Sequence, residues 1–415
     1  MFFLYRLIIN TILILSPIII IFRILKNKED PSRFIEKLGV FEKKSIKGKL
    51  IWFHGSSVGE ILSIIPLVEK FEKNKNINQI LITSNTVSSS NIIKKFRFRK
   101  TIHQFFPIDC NFISKKFINY WRPSKVFFID SEIWPNTVNN LYNKKIPMIL
   151  LNGRITKKTL QRWLILPNFA NSLFNKFKLC LSSSLESKRY LRKLGAQNIK
   201  FFGNIKFSQS ESVSPTLDKN LRNFIKSKNS WCASSTHYNE EKICGQTHLY
   251  LNKKYKNLLT IIIPRHIDRV PQIMLDLRKL NLKVLKHTSK TKNLNKTDIY
   301  LVDTFGETQK FFKLCSSVFL GGSIIKRGGQ NPLEPARYGA KIFHGPNIDN
   351  FKDVYKLLNS LKISKKISTY NSLASSIIFK KRLNKATKIN KIGKIILKKT
   401  INEINFQIKN EIKKT

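Results

Sequence analysis

Acidic residues are scarce in this chain: 25 Asp and Glu stand against 76 Lys and Arg, a formal net charge of +51 over 415 residues. Glycine is also thin, at 16 against the usual ~7% of a globular chain. Lys, Ile, Asn and Phe abound, a bias that AT-rich coding produces without selection for basicity. The basic residues are scattered and form no single arm or stripe, which argues against nucleic acid as the partner and leaves a contribution to an anionic membrane surface. Cysteines are few, odd in number and widely spaced, at Cys110, Cys180, Cys232, Cys244 and Cys315, with no C-x-x-C pair. That excludes a disulfide framework, points to a reducing compartment and argues against a zinc site. The seven histidines show no H-E-x-x-H or similar spacing, so no metal and no cofactor is expected.

One long apolar run is present. Residues 7–22, LIINTILILSPIIIIF, lie between Arg6 and Arg23 and contain Pro17, which should kink them. The run falls a little short of the ~20 residues of a bilayer span, and snorkelling of the flanking arginines extends it. No small-residue cleavage site follows, so residues 1–25 read as an uncleaved membrane anchor. The positive charge after it places the rest of the chain on the cytoplasmic side.

The length suits two domains. From residue 49 on, short β-rich runs alternate with helical patterns, the signature of α/β lobes with parallel sheets. Strands are expected at 50–53, 80–83, 125–129, 146–151, 179–183 and 199–203 in a lobe covering 26–206, and at 231–234, 258–264, 299–303, 317–322 and 341–345 in a second covering 219–370. The stretch 207–218, FSQSESVSPTLD, reads as the linker, and 371–415 as a Lys-rich helical end packed on the body.

In open α/β sheets, ligands sit outside the carboxyl ends of the strands, so the residues just after each run carry the functional expectation. HGSSVGE (54–60) runs into an apolar helical face, which places Ser57 and Glu60 at a helix amino end. Glu60 is either a first-turn carboxylate or a general base. The helix dipole lowers its pKa and burial raises it, and the sequence does not rank the two. DSEIWPN (130–136) offers Asp130 and Glu132, either as a helix start or as an acidic pair. NGRIT and GNIKF add Arg154 and Lys206 on the same lobe edge. In the second lobe Thr236, His237, Arg265 and His266 follow their strands. The segment GGSIIKRGGQNPLEPARYG (321–339) sets two glycine pairs around a loop that leads into a helix beginning near Asn331, with Pro332 at its first position. Glycines permit close backbone approach and a helix amino end supplies donors to phosphate, while Glu334 lies one turn in, within reach of ribose hydroxyls.

Taken in order, HGSSVGE, DSEIWPN, NGRIT, GNIKF, STHYNEE, PRH, DTFGE, GGS and GGQNPLEPA, behind an amino-terminal anchor, resemble the Kdo (3-deoxy-D-manno-octulosonic acid) transferases of Gram-negative lipopolysaccharide assembly over roughly residues 1–370. The resemblance implies a GT-B fold of two Rossmann-like lobes facing across a cleft. It also implies a CMP-Kdo donor on the second lobe, a lipid A precursor on the first, and metal-independent inverting transfer at the cytoplasmic face of the inner membrane. Carried over by motif, Glu60 is the proton acceptor, and Asp130 and Lys206 stabilise the transition state. Pro264 and Arg265, then Phe305, Gly306 and Glu307, then Asn331, Pro332, Leu333 and Glu334 bind CMP. Ser57, Glu132, Arg154, Thr236, His237, His266, Gly322 and Ser323 are further cleft residues. The chain departs from the usual pattern at Asp130 (Glu), Asn239 (Gly), Phe305 (Met) and Gln330 (His), and residues 83–89 lack the familiar Gly. Two rival readings stand beside this one: a GT-B transferase using a UDP-sugar on another lipid, and a non-catalytic basic scaffold binding anionic lipid.

Overall fold

Residues Leu50–His54 are buried at every position, and the reason is topological: the strand they form lies between parallel neighbours and is covered on both faces. Trp52 faces one core with Leu81, Phe128 and Leu150, while Ile51 and Phe53 face another with Phe127, Ile129 and Leu151. A continuous apolar run is therefore required of such a strand, where alternation would leave polar groups in one of the cores.

The computed structural model describes residues 1–209, 216–289, 294–380 and 383–412. It divides into two units, Met1–Ser210 with Ile392–Thr415, and Glu211–Lys391. The first carries β1 (Leu50–His54), β2 (Gln79–Ser84), β3 (Thr101–Phe105), β4 (Lys125–Ile129), β5 (Met148–Gly153), β6 (Leu179–Ser182) and β7 (Ile199–Phe201). The second carries β8 (Asn229–Thr236), β9 (Leu258–Pro264), β10 (Val284–Lys286), β11 (Ile299–Leu301), β12 (Ser317–Leu320), β13 (Lys341–His344) and β14 (Ser364–Lys366). The strand orders are β3-β2-β1-β4-β5-β6-β7 and β10-β11-β9-β8-β12-β13-β14, with every pairing parallel. Each unit is Rossmann-like, giving the GT-B-type pair of α/β units that the resemblance implies.

The first order reverses between β1 and β4 and the second between β8 and β12, with β11 inserted between β9 and the edge strand β10. Loops leaving the two strands at such a reversal diverge and open a crevice at the carboxyl edge. The register His54↔Phe128 brings the segment after β1 beside Asp130, which directly follows β4.

Three strands escape the sequence reading: β3, β10 and β14. All are edge strands, where one side of the ladder is unpaired and charge is tolerated, so TIHQF and SKK carry no apolar signature. Of the expected linker, residues 210–215 lie outside the described residues, Phe207 and Ser208 end a 3₁₀ turn, and Asp218 caps the next helix. The last helix, Leu383–Ile412, belongs to the first unit from Ile392 onward. There Ile404 enters the core with Leu397 and Ile401, and Glu403 pairs with Lys200 at 2.8 Å. Residues 381–382 and 413–415 of the expected carboxyl-terminal segment lie outside the described residues. The amino-terminal apolar run forms one helix, Phe2–Leu25, that continues through Pro17; its mean hydropathy of 2.4 and its length are sufficient to cross a membrane.

Candidate active site

In the first unit the chain leaves β1 at His54 and turns through Gly55. A Cβ there would lie 2.9 Å from Ile129 Cδ1, so any larger residue would have to push that side chain aside for the turn to close against the end of β4. Ser57 caps helix Val58–Glu72, and its hydroxyl oxygen accepts from Glu60 N. The Ser57 hydroxyl donates to Glu60 Oε1 at 2.7 Å and the Ser56 amide donates to Oε2 at 2.7 Å. Glu60 is thus a first-turn carboxylate, and its environment adds to that role. Burial raises its pKa from 4.5 to about 7, helped by the charges of Asp130 and Glu132 and opposed by the two serine hydrogen bonds. Burial is the largest of these influences.

Asp130 adopts the left-handed region at φ 56°, unusual for a residue with a Cβ. Its amide donates to Leu151 O and its carbonyl accepts from Arg154 N, which ties the turn to β5. The buried carboxylate accepts from Asn152 Nδ2 at 2.6 Å and pairs with Lys206 Nζ at 2.6 Å. Asn152 is also left-handed, at φ 58°, and its Oδ1 accepts from Ile205 N at 3.0 Å. One amide side chain therefore holds both the carboxylate and the short turn that presents Lys206. Next to them, Trp134 Nε1 donates to Glu132 Oε2 at 3.2 Å and to His54 Nε2 at 3.0 Å. His54 Nδ1 in turn meets Thr83 Oγ1 at 2.9 Å. With Nε2 accepting from Trp134, the consistent tautomer carries its proton on Nδ1.

In the second unit, His237 follows β8. Burial depresses its pKa, its contact with the Ser235 carbonyl opposes this, and the neighbouring His266, Arg327 and Arg265 depress it further. Arg265 and His266 are exposed directly after β9, and the Arg265 guanidinium has no hydrogen-bond or ion-pair partner among the described residues. The Thr236 hydroxyl is buried and unpartnered among them. Phe305 is 71% exposed, and Gly306, at φ 83°, has open space around it. Glu307 pairs with Lys310 at 2.6 Å.

One expectation on this unit needs correction. The helix after the second glycine pair is a single turn, Leu333–Arg337, with Pro332 as its cap and not its first residue. The Leu333 amide is taken by Asn331 Oδ1 at 3.1 Å, and burial raises the pKa of Glu334 against a hydrogen bond with Gln309 and the charge of Arg337. The amides of the first glycine pair are also engaged. Gly322, Ser323 and Ile324 all donate to Glu240, as does His237, at 2.7–3.2 Å. Gly321 cannot be replaced there, because a Cβ would sit 2.4 Å from Ser235 O. Ser323 is buried, its hydroxyl donating to Leu320 O and accepting from Gly345 N. Gly322 and Ser323 thus build the crevice wall and offer no free amide. Glu240→Gln should lose about 1–3 kcal/mol of stability in urea unfolding, the cost of a buried donor left without its acceptor; an unchanged midpoint would contradict the clamp.

Residues 32–209 match the sequence profile of the family described as 3-deoxy-D-manno-octulosonic-acid transferase (kdotransferase). The chain is 32% identical over 340 residues to the 3-deoxy-D-manno-octulosonic acid transferase of Rickettsia bellii, covering 82% of this chain and 81% of that protein. It belongs to the Kdo transferase family. The Haemophilus influenzae transferase is 27% identical over 358 residues, covering 84% of each chain. The probable mitochondrial enzyme of Arabidopsis thaliana is 31% identical over 379 residues, covering 87% of this chain and 84% of its own. Among solved structures, a putative UDP-N-acetylglucosamine 2-epimerase from Listeria monocytogenes superposes with TM-score 0.58 at 11% identity, covering 89% of this chain and 98% of that one. That likeness concerns the fold alone.

As a Kdo transferase, the chain gathers Ser57, Glu60, Asp130, Glu132, Arg154 and Lys206 at the reversal point of its first sheet. It gathers Thr236, His237, Arg265, His266 and the 321–324 turn at that of its second. His54, Thr83, Trp134, Asn152 and Glu240 belong to these edges and were not singled out from the sequence. For His54 the available signal was its place as the last residue of a fully apolar strand; for Asn152 it was the asparagine before Gly153, a residue type that tolerates the left-handed region.

Proposed function

We propose that this member of the Kdo transferase family moves Kdo from CMP-Kdo to a lipid A precursor at the cytoplasmic face of the inner membrane, with inversion and without a metal. The observation that carries this reading is Glu60, a half-buried carboxylate with a pKa of about 7 beside the Asp130–Lys206 pair. A base of that pKa is half ionised at neutral pH and takes up a proton readily. The acceptor hydroxyl attacks the anomeric carbon as its proton passes to Glu60. The bond from that carbon to the CMP phosphate oxygen breaks, and CMP leaves with the electron pair. Asp130 supplies negative charge to the oxocarbenium-like centre, and Lys206 fixes the direction of that carboxylate. In the second unit, Arg265 and Arg327 offer cationic groups to the phosphate of the leaving group, with His237 and His266 beside them as hydrogen-bonding groups.

The test is incubation of the purified protein with CMP-Kdo and a tetraacylated lipid A precursor, read by CMP release and product mass. Transfer from a UDP-sugar in preference to CMP-Kdo would overturn the donor assignment, and loss of turnover in EDTA restored by Mg²⁺ would overturn metal independence. Arg265→Ala should raise KM for CMP-Kdo by about 10–100-fold with a smaller change in kcat, the worth of one charge-assisted phosphate contact. Steady-state kinetics with varied donor checks it.

A further inference from the structure

Thr83 is the hub of a polar chain that ends at the crevice of the first sheet. Its hydroxyl oxygen accepts from Trp52 Nε1 at 2.8 Å, meets His54 Nδ1 at 2.9 Å and faces the Phe53 carbonyl at 3.4 Å. A hydroxyl has one proton and two lone pairs. With the proton directed to Phe53 and one lone pair on Trp52, the other is left for an N–H from His54. Nδ1 therefore carries the ring proton and Nε2 is an acceptor. The ring has no room to leave this arrangement: it is wholly buried, stacked on Phe106 at 3.9 Å and met edge-on by Phe128 and Trp134 at 6.0 and 6.3 Å.

Beyond Nε2 the chain reaches Glu132. His54 Nε2 and Glu132 Oε2 lie 3.4 Å apart, and both are acceptors, so they repel unless an N–H stands between them. Trp134 supplies it. Its indole nitrogen is 3.0 Å from the imidazole and 3.2 Å from the carboxylate, a three-centre bond. Trp134 is itself fixed in place, at the amino end of helix Pro135–Asn143 and with its ring 5.4 Å from that of Phe106. The carboxylate so held has no Lys or Arg paired with it among the described residues, whereas Asp130 is paired with Lys206 at 2.6 Å. After burial, Asp130 and then Glu132 raise the pKa of Glu60, against the hydrogen bonds from Ser57 and Ser56. The charged groups around Glu60 are thus Asp130 and Glu132 after β4, with Lys206 on the turn Ile205–Ser208 that packs on helix Val58–Glu72.

We propose that Trp134 is a positioning residue for the transfer: its indole N–H, braced on His54, holds the Glu132 carboxylate where its negative charge strengthens Glu60 as a base. Removing the N–H leaves two acceptors facing each other at 3.4 Å. Glu132 then either turns away or shares a proton taken up by His54, and both outcomes withdraw negative charge from Glu60. This role rests on Glu60 being the proton acceptor of the transfer; Trp134 and Glu132 act through it and not on substrate themselves.

The pH profile of Trp134→Phe, which keeps an aromatic ring and loses the N–H, tests this on the full chain. The acid limb of kcat/KM should move down by about 0.5 pH unit, the reach of one carboxylate charge across a partly buried site. At about pH 6 the variant then keeps about threefold more of its plateau value than the natural protein does. Glu132→Gln removes the charge and keeps an acceptor for the indole, so it should give the same shift, and the double variant should add nothing to it. An unmoved limb in Glu132→Gln, which leaves the aromatic cluster intact, would overturn the proposal even where Trp134→Phe does not fold. A limb that moves in Glu132→Gln but not in a folded Trp134→Phe would overturn the part given to Trp134. The titration of Glu60 itself separates this role from the base role. Read without substrate, as the infrared difference between each protein and its Glu60→Gln counterpart, it should shift down with Trp134→Phe whatever Glu60 does in turnover. A titration that stays in place overturns the positioning role, whereas undiminished turnover of Glu60→Gln overturns the base.

Discussion

Glu60→Gln should lower kcat by about 10²–10⁴-fold, the usual contribution of a general base, while leaving CMP binding nearly intact. The pH profile makes the expectation specific. With its pKa at about 7, Glu60 carries a proton below neutrality, so kcat/KM of the natural protein should fall roughly tenfold per pH unit on the acid side of that value. The variant should lose this limb. Stability should move the other way. The pKa is raised above its ordinary 4.5 to about 7, so the stabilising contribution of the proton is fully present below about pH 4.5 and is lost as pH rises through about 7. Glutamine carries no such loss, and it keeps one oxygen for Ser56 or Ser57. Above pH 7 the variant should therefore be at least as stable as the natural protein to urea while turning over far more slowly. Undiminished turnover would remove Glu60 from the base role, and a large loss of stability would make it chiefly a helix cap.

The position of Glu60 was legible in the sequence because it depends on local signals: a fully apolar run, a glycine turn and a serine cap before a helical face. The same holds for Asp130, directly after the apolar strand Lys125–Ile129. What surrounds them was not legible. Asn152 acts through a left-handed backbone and partners 22 and 53 residues away, and Glu240 acts on amides 82–84 residues away; neither leaves a periodic trace. The turn at 331–337 misled for a related reason. Asn331 and Pro332 do mark a helix start, but Gly339, at φ 78°, ends the element almost at once. Edge strands were missed because a half-paired strand is not required to be apolar. The pKa of Glu60 depends first on burial and then on Asp130 and Glu132, brought near it by the order of β1 and β4, and both are tertiary facts.

Lys206→Met should cost the first unit a large part of its stability. The pair with Asp130 is 2.6 Å long, and the side chains are 16% and 8% exposed, so removing the cation leaves a carboxylate in a place from which water is largely excluded. Breaking a buried pair from one side costs about 3–5 kcal/mol. The remaining Asn152 hydrogen bond offsets only part of that, which puts the expected loss in urea unfolding at about 3 kcal/mol. Turnover should fall as well, by about 10²-fold or more, since Asp130 then loses the group that directs it. The two effects separate in the double variant Asp130→Asn/Lys206→Met. With neither charge present the desolvation penalty disappears, and most of the lost stability should return. Turnover should not return, because the negative charge that would meet the oxocarbenium-like centre is gone. Recovery of activity together with stability would mean that the pair only braces β4 against the turn at Ile205–Ser208, and the electrostatic role would then have to lie with Glu60 and Glu132 alone.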